Sequence, residues 1–214
     1  LLKQARQEND IVVLSIFVNP TQFNDANDFS KYPKTFNADL ELAVENKVDY
    51  IFLPNEKTMY PDDYRYRLTE NNFSKTLCGE HRPGHFDGVL TVVMKLFHIV
   101  NPTKAYFGEK DFQQLKLIQD MVSAFFMDVQ IIPVPTVREI NGLAMSSRNK
   151  RLSENERLLA AKIYELSSSL TSADDVKKAL NNLGFLVDYV KDIEDRRFIA
   201  AKLGDVRLID NVEI

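Results

Sequence analysis

Residues 11–18 are apolar at every position except Ser15 and rich in β-branched side chains, and the run breaks at Asn19-Pro20. Such a run predicts a strand covered on both faces, the kind found in parallel sheets flanked by helices. The segments that follow keep to that architecture. Phe36, Leu40, Ala43 and Val44 recur at helical spacing over 36–48, and Tyr50, Ile51, Phe52 and Leu53 restart a β run that Pro54 ends, which completes a βαβ unit. Val89, Val92, Val93, Leu96, Phe97 and Val100 predict a helix over 88–100, and Ala105, Tyr106 and Phe107 a short strand. Leu115, Ile118, Met121, Val122 and Phe125 predict another helix, followed by a strand over 129–134. Alternation of this kind predicts an α/β fold with a Rossmann-like doubly wound parallel sheet.

Beyond residue 137 the pattern changes. Ser153-Glu154-Asn155-Glu156 reads as a capping box for a helix reaching about residue 168, and a second helix over 176–183 stops at Gly184. Residues 198–203 and 206–209 flank Gly204-Asp205, a two-residue connection typical of antiparallel hairpins. The prediction is a large domain over 1–136 and a smaller carboxyl-terminal α+β domain over 137–214. A length of 214 residues with 44% hydrophobic content supports a core of that size.

Charge narrows the function classes. With 27 basic and 31 acidic side chains the formal charge is -4, which gives no general attraction to a nucleic-acid backbone. Cys78 is the single cysteine, so no internal disulfide forms, and neither a signal-peptide pattern nor a membrane-length apolar stretch is visible. A cytoplasmic protein binding neither nucleic acid nor membrane is expected. The chain opens Leu1-Leu2-Lys3, without an initiator methionine and with the look of a helix tail, so an upstream segment is expected as well.

The seven glycines form neither a dinucleotide fingerprint nor a Gly-rich phosphate loop. A phosphate ligand therefore needs another cradle. Gly108-Glu109-Lys110-Asp111 lies between a predicted strand and a predicted helix, where ligands of open α/β sheets bind. There Lys110 offers a point charge to phosphate oxygens and Asp111 an acceptor to a ribose hydroxyl. A solvated loop with a Glu109 to Lys110 surface pair is the alternative. Met145-Ser146-Ser147-Arg148-Asn149 places two hydroxyls and a guanidinium where they can surround an anion, or where they merely cap a helix. Asn19 and Gln22 follow the first strand, and Gln113 and Gln114 the later one. Such amides suit a small ligand carrying hydroxyl and carboxylate groups, and turn formation is the competing role. His81 and His85 share a turn-rich loop with Arg82, but Pro83 and Gly84 break the helix that would align them on a metal. His98 reads as a satisfied core or boundary histidine, and Asp62 and Asp63 as a solvated loop.

Together, Phe17-Val18-Asn19-Pro20-Thr21-Gln22-Phe23, Arg82-Pro83-Gly84-His85-Phe86, Gly108-Glu109-Lys110-Asp111-Phe112-Gln113-Gln114, Met145-Ser146-Ser147-Arg148-Asn149 and Leu208-Ile209-Asp210-Asn211 closely resemble the pantothenate synthetase (pantoate–β-alanine ligase) family of the nucleotidyltransferase superfamily. The resemblance runs from the first strand to the last in motif order. It implies a cytoplasmic, homodimeric enzyme of pantothenate and coenzyme A biosynthesis. Such an enzyme condenses pantoate with β-alanine through a pantoyl adenylate, releasing AMP and diphosphate, with ATP as co-substrate and Mg²⁺ beside it. By the same resemblance Gly108, Glu109, Lys110, Asp111, Val137, Met145, Ser146, Ser147 and Arg148 contact ATP. Lys110, Ser146, Ser147 and Arg148 stabilise the phosphate charge, and Asn19, Gln22, His85 and Gln114 line the pantoate pocket. The 137–214 domain acts as a lid associated with the dimer. Two departures stand out. The family's amino-terminal His-x-Gly-His signature is absent, so the chain as written is expected to be catalytically incomplete. Of an acidic pair associated with Mg²⁺, which here reads Ala38-Asp39, only Asp39 carries over. The carboxyl-terminal domain is also short for the family, with gaps expected near Leu170-Thr171-Ser172 and Lys191-Asp192-Ile193-Glu194. Another adenylyl or cytidylyl transferase is the competing enzyme class, and a noncatalytic dimeric nucleotide-binding protein the competing non-enzyme.

Overall fold

The computed structural model describes residues 1–24, 26–30, 32–33 and 35–214. In chain order its elements are α1 (Leu2–Glu8), β1 (Val13–Ser15), α2 (Ala26–Ser30), α3 (Phe36–Glu45), β2 (Tyr50–Phe52), α4 (Glu56–Met59), α5 (Cys78–His81), α6 (His85–Val100), β3 (Lys104–Gly108), α7 (Phe112–Ala124), β4 (Gln130–Val134), α8 (Glu154–Ala160), α9 (Lys162–Ser169), α10 (Ala173–Asn182), β5 (Leu186–Ile193), β6 (Arg196–Leu203) and β7 (Val206–Glu213). Short 3-10 turns lie at Pro20–Gln22, Phe73–Lys75, Glu109–Asp111 and Ser147–Arg151. The chain forms two compact units. Unit 1 is Leu1–Lys75, Arg82–Phe107 and Gln113–Val134, and unit 2 is Thr76–His81, Gly108–Phe112 and Pro135–Ile214.

In unit 1, β1 and β2 pair in parallel with Val13 opposite Tyr50, as a βαβ unit requires, and β3 pairs with β4. The helix α6 supplies most of the core through Phe86, Val89, Leu90, Val92, Val93 and Phe97. It starts at His85, earlier than its apolar spacing alone predicts. Gly84 adopts φ +77° immediately before it, a conformation open to glycine, and so closes the turn into the helix. From α7 come Leu115, Leu117, Ile118 and Met121. The first strand is not covered on both faces, for Val13 and Ser15 are exposed and Leu14 between them is half-buried. Of the apolar stripe predicted on α3, Ala43 alone is buried, and Phe36, Leu40 and Val44 stand in solvent. Apolar periodicity reports that a face is apolar and says nothing of what covers it.

Unit 2 is built on a three-stranded antiparallel sheet in the order β5-β6-β7, packed with α8, α9 and α10. Ala160, Val176, Leu180, Ile199 and Ala201 at its centre are fully buried. The predicted capping box is present, with Ser153 accepting from the Glu156 backbone while the Glu156 carboxylate accepts from Ser153. The predicted hairpin turns at Gly204, where φ is +54°. Ile193 pairs with Arg196 across a Glu194-Asp195 turn, making β5 a hairpin partner of β6. The guanidinium of Arg197, 1% exposed, holds the carbonyls of Ser167, Leu170 and Thr171 at 3.1, 2.6 and 3.1 Å and grips Asp192 with two bonds of 2.7 and 2.9 Å. A buried cation is tolerated here because every donor finds an oxygen.

Candidate functional site

In unit 1 the turn after β1 is locked by neutral hydrogen bonds around Asn19, a side chain 1% exposed. Its Oδ1 accepts from the Tyr60 hydroxyl at 2.8 Å and the Thr21 hydroxyl at 3.0 Å. The Thr21 backbone N–H at 3.4 Å, which can only donate, and the Gly88 carbonyl, which can only accept, fix the polarity of the amide. The nitrogen end then donates to the Gly88 carbonyl at 3.1 Å and faces Gln22 Oε1 at 3.4 Å. With its oxygen turned inward, Gln22 presents its NH₂ as a donor. The Gln22 carbonyl accepts from His85 Nδ1 at 2.7 Å and Arg82 Nη2 at 3.1 Å, so Nδ1 carries a proton. Gly88 makes the cluster possible, because a Cβ there would stand 2.6 Å from the Thr21 carbonyl oxygen. Tyr60 is held in turn by Lys95, whose ammonium lies 4.6 Å from the ring centroid and donates to the Met59 carbonyl at 2.7 Å. Burial raises the Tyr60 pKa and keeps its hydroxyl protonated.

The structure thus brings Asn19, Gln22 and His85 together. Gln114 lies in the same unit, half-buried on the first turn of α7. Its neighbour Gln113 has a different task, since it is buried and donates to the Phe73 carbonyl at 2.9 Å. An open groove of about 370 Å³ borders the turn, walled by Thr21, Tyr60, Tyr64 and Gly88, and neither Gln22 nor Gln114 is in its wall. The histidine pair divides, with His85 facing Gln22 and His81 packing on Tyr189 inside unit 2 at 5.7 Å between centroids. Among the described residues no group of three His, Cys, Asp or Glu side chains could hold a metal. Asp39 accepts from Thr35 Oγ1 at 3.2 Å. His98 is exposed, with Nδ1 on the Met94 carbonyl at 2.8 Å. Asp62 is more than a solvated loop residue, because it accepts from the Tyr66 backbone at 2.9 Å and lies 3.3 Å from Lys95.

The second set of predicted residues gathers in unit 2. Gly108 leads into the Glu109–Asp111 turn, and a Cβ on Gly108 would meet nothing within 4 Å. Neither the Lys110 ammonium nor the Asp111 carboxylate has a side-chain partner among the described residues, so the predicted Glu109 to Lys110 pair does not form. The turn hangs from β7, where Asn211 Nδ2 donates to the carbonyls of Glu109 at 2.8 Å and Lys110 at 3.1 Å. Arg196 Nη1 donates to Asn211 Oδ1 at 2.6 Å and stacks 4.0 Å from the Phe112 ring centroid.

Val137 and Met145 are joined by a backbone bond of 2.9 Å, and their side chains are 63% and 56% exposed. The Arg138 beside them grips Asp210 through bonds of 2.6 and 3.0 Å. Ser146 caps the Ser147–Arg151 turn by accepting from the Arg148 backbone at 3.3 Å, so capping is part of its role. Asn149 is buried, and its Nδ2 donates to Glu139 at 3.1 Å and to the Ala144 carbonyl at 3.0 Å. A 2.8 Å bond from Arg157 holds the Glu139 pKa below its usual value, with Asn149 adding to the effect. The sequence reading assigned no role to Tyr60, Arg138, Arg196 or Asp210. Asp210 alone left a signal, as part of the Leu208-Ile209-Asp210-Asn211 motif.

Comparisons along the whole chain identify its family. A family model described as pantoate-beta-alanine ligase matches residues 1–213. The chain is 62% identical over 214 residues to a pantothenate synthetase of Bdellovibrio bacteriovorus, covering 100% of this chain and 85% of that protein. It is 52% identical over 211 residues to one from Legionella pneumophila, covering 99% and 84%. A crystal structure of the Francisella tularensis pantoate-beta-alanine ligase, complexed with beta-gamma ATP and beta-alanine, superposes with a TM-score of 0.95 at 42% identity, covering 100% of this chain and 83% of that one. The Thermus thermophilus pantothenate synthetase gives 0.91 at 37% identity, with coverage of 100% and 87%. The chain belongs to the pantoate-beta-alanine ligase family.

Proposed function

We propose that this protein catalyses the ATP-dependent condensation of pantoate with β-alanine, and that its two residue clusters divide the substrates. A carboxylate is a poor acyl donor at neutral pH. An oxygen of the pantoate carboxylate attacks the α-phosphorus of ATP and the bond to diphosphate breaks. The β-alanine amine then attacks the acyl carbon of the pantoyl adenylate, gives up a proton, and expels AMP. No nucleophilic side chain is required, so the protein's work is to position the reactants and stabilise phosphate charge.

One observation carries the reading. In unit 2 every residue expected at ATP belongs to one connected frame, with the Glu109–Asp111 turn, the exposed Val137 and Met145 pair and the 146–148 loop tied together through β7, Arg138 and Asn149. Lys110, with no carboxylate partner among the described residues, meets the phosphates. The open space at Gly108 leaves room for ligand against the backbone. Asp111 takes a ribose hydroxyl and Val137 lies by the base, while Ser146, Ser147 and Arg148 stabilise charge at the α-phosphate. In unit 1, Gln22 and Gln114 orient pantoate, with His85 fixing the backbone and Asn19 the amide of Gln22. Mg²⁺ would supply charge neutralisation on the phosphates, which usually carry it with waters and one or two carboxylates. Asp39 is the one carboxylate that the resemblance offers toward it, and no group of three ligating side chains among the described residues forms a cage. The reading includes a cytoplasmic homodimer and a lid role for residues 137–214. No helix among the described residues is long and apolar enough to cross a membrane.

The test is diphosphate release and product mass from the chain joined to the family's amino-terminal His-x-Gly-His segment, supplied with ATP, Mg²⁺ and pantoate, β-alanine or both. The expected result is pantoate-dependent diphosphate, with pantothenate and AMP when β-alanine is added. A folded, ATP-binding protein inert in every mixture would refute it.

A further inference from the structure

Asp210 and Asn211 are consecutive residues of β7, 6% and 4% exposed, and each reaches a different segment of the ATP cluster. Asp210 holds Arg138 and with it the strand bearing Val137, while Asn211 holds the carbonyls of Glu109 and Lys110. They also bond to each other, for the Asn211 backbone N–H donates to Asp210 Oδ1 at 2.8 Å and Arg138 Nη2 donates to the Asn211 carbonyl at 3.3 Å. The Asn211 amide has a single workable polarity. Arg196 is a pure donor and occupies Oδ1 at 2.6 Å, so the NH₂ end must face the turn, where it finds two carbonyls. Arg196 is anchored by Glu213 at 2.7 Å.

We infer that Asn211 is a positioning residue for ATP, whose amide, oriented by Arg196, fixes the Lys110 backbone and keeps it in register with the Val137 segment through Asp210. The inference rests on the proposed role of Lys110 at the phosphates. Anchoring the carbonyl of Lys110 sets the direction in which its long side chain leaves the turn. Misplacing a charge stabiliser by about 1 Å costs on the order of 10² in rate. A carboxylate at 211 would keep the acceptor for Arg196 and turn the donor into an acceptor facing two carbonyls, so Asn211→Asp breaks the grip on the turn while sparing the strand.

The experiment compares Asn211→Asp, Lys110→Ala and the double variant in the same protein carrying the His-x-Gly-His segment, by steady-state kinetics with ATP and pantoate varied separately. It is run well below each variant's thermal midpoint. Asn211→Asp is expected to lower kcat/KM for ATP roughly thirtyfold and leave KM for pantoate within about twofold. In the Lys110→Ala background the same change is expected to cost less than about threefold, because its effect passes through Lys110. A neutral Asn211→Asp, or a full loss repeated in the Lys110→Ala background, overturns the inference while leaving Lys110 at the phosphates. A neutral Lys110→Ala overturns the functional reading and the inference with it. If Asn211→Asp does not fold, Asn211→Ser, which also lacks the reach to the carbonyls, is read by the same criteria.

Discussion

The two units hold their candidate residues by different physics. In unit 1 the frame around Gln22 is largely neutral, made of the Tyr60 hydroxyl, the Asn19 amide, the Thr21 hydroxyl and backbone carbonyls. In unit 2 the frame is ionic, with Arg138 on Asp210, Arg196 on Glu213 and Arg157 on Glu139. The difference follows the ligands proposed for each. A polyphosphate is repelled by any bare carboxylate and needs an unclaimed cation. Pairing Asp210, Glu213 and Glu139 with arginines reduces that repulsion, with Asp111 left bare for the ribose, and leaves the Lys110 ammonium without a carboxylate among the described residues. A small hydroxy acid needs directional donors instead, which amides of fixed polarity supply.

The largest expected effect tests the ionic half. Lys110→Ala should reduce turnover by on the order of 10² or more, the usual consequence of losing a preorganised charge stabiliser. Turnover within a few-fold of wild type would remove the contrast between the units. Next comes the neutral half. Gly88→Ala forces a methyl to within 2.6 Å of the Thr21 carbonyl oxygen, a backbone atom that cannot rotate away. Overpacking of that kind costs about 2 kcal/mol, a fall in Tm of roughly 4–8 °C, together with a raised KM for pantoate. An unshifted melting curve would show that α6 can retreat and that the Asn19 cluster is not rigid.

Local signals were legible in the sequence, and contacts across long separations were not. The capping box at Ser153 and Glu156 and the hairpin at Gly204 lie within a few residues of their cause, and both form as read. The strand β5 went unread because Lys191, Asp192 and Glu194 gave its end the composition of a loop, while its pairing depends on β6 and on Arg197 gripping Asp192. Motif matching found Gln113 and Gln114 together, but only burial separates the one that anchors Phe73 from the one left near the surface. Tyr60 sits beside Pro61 in what reads as a polar loop, and its partner Asn19 is 41 residues away. Asp210-Asn211 was visible as a matching motif, yet its work depends on Arg138 and on a turn about a hundred residues upstream.

Tyr60→Phe is a milder cut at the same neutral frame. It deletes the 2.8 Å donor to Asn19 Oδ1, which still accepts from Thr21, so the expected loss is about 1 kcal/mol of stability. The freed amide should raise KM for pantoate roughly threefold and leave KM for ATP unchanged. Equal shifts in both constants would mean that Tyr60 serves general packing and carries no special relation to Gln22.

The smallest effect separates the units by pH. Glu139, bonded by Arg157 and Asn149, titrates below its ordinary value of 4.5 in the folded protein. Its contribution is therefore complete above the unfolded value and lost as pH falls through the folded one. Arg157 is 53% exposed, so solvent screens the pair and Glu139→Gln should cost well under about 1 kcal/mol at neutral pH. The deficit should shrink as the medium is acidified below 4.5, where the wild-type carboxylate is protonated as well. Tyr60 has the opposite sign. Burial raises it above its ordinary 10.0, so its contribution is complete below that pH and declines above it, as ionisation favours the unfolded chain. Denaturant titrations of wild type, Glu139→Gln and Tyr60→Phe across pH should place the first variant's pH-dependent difference on the acid limb and the second's on the alkaline limb. If Glu139→Gln tracks wild type in parallel down the acid limb, the Arg157 pair is too weak in solution to distinguish an ionic frame from a neutral one.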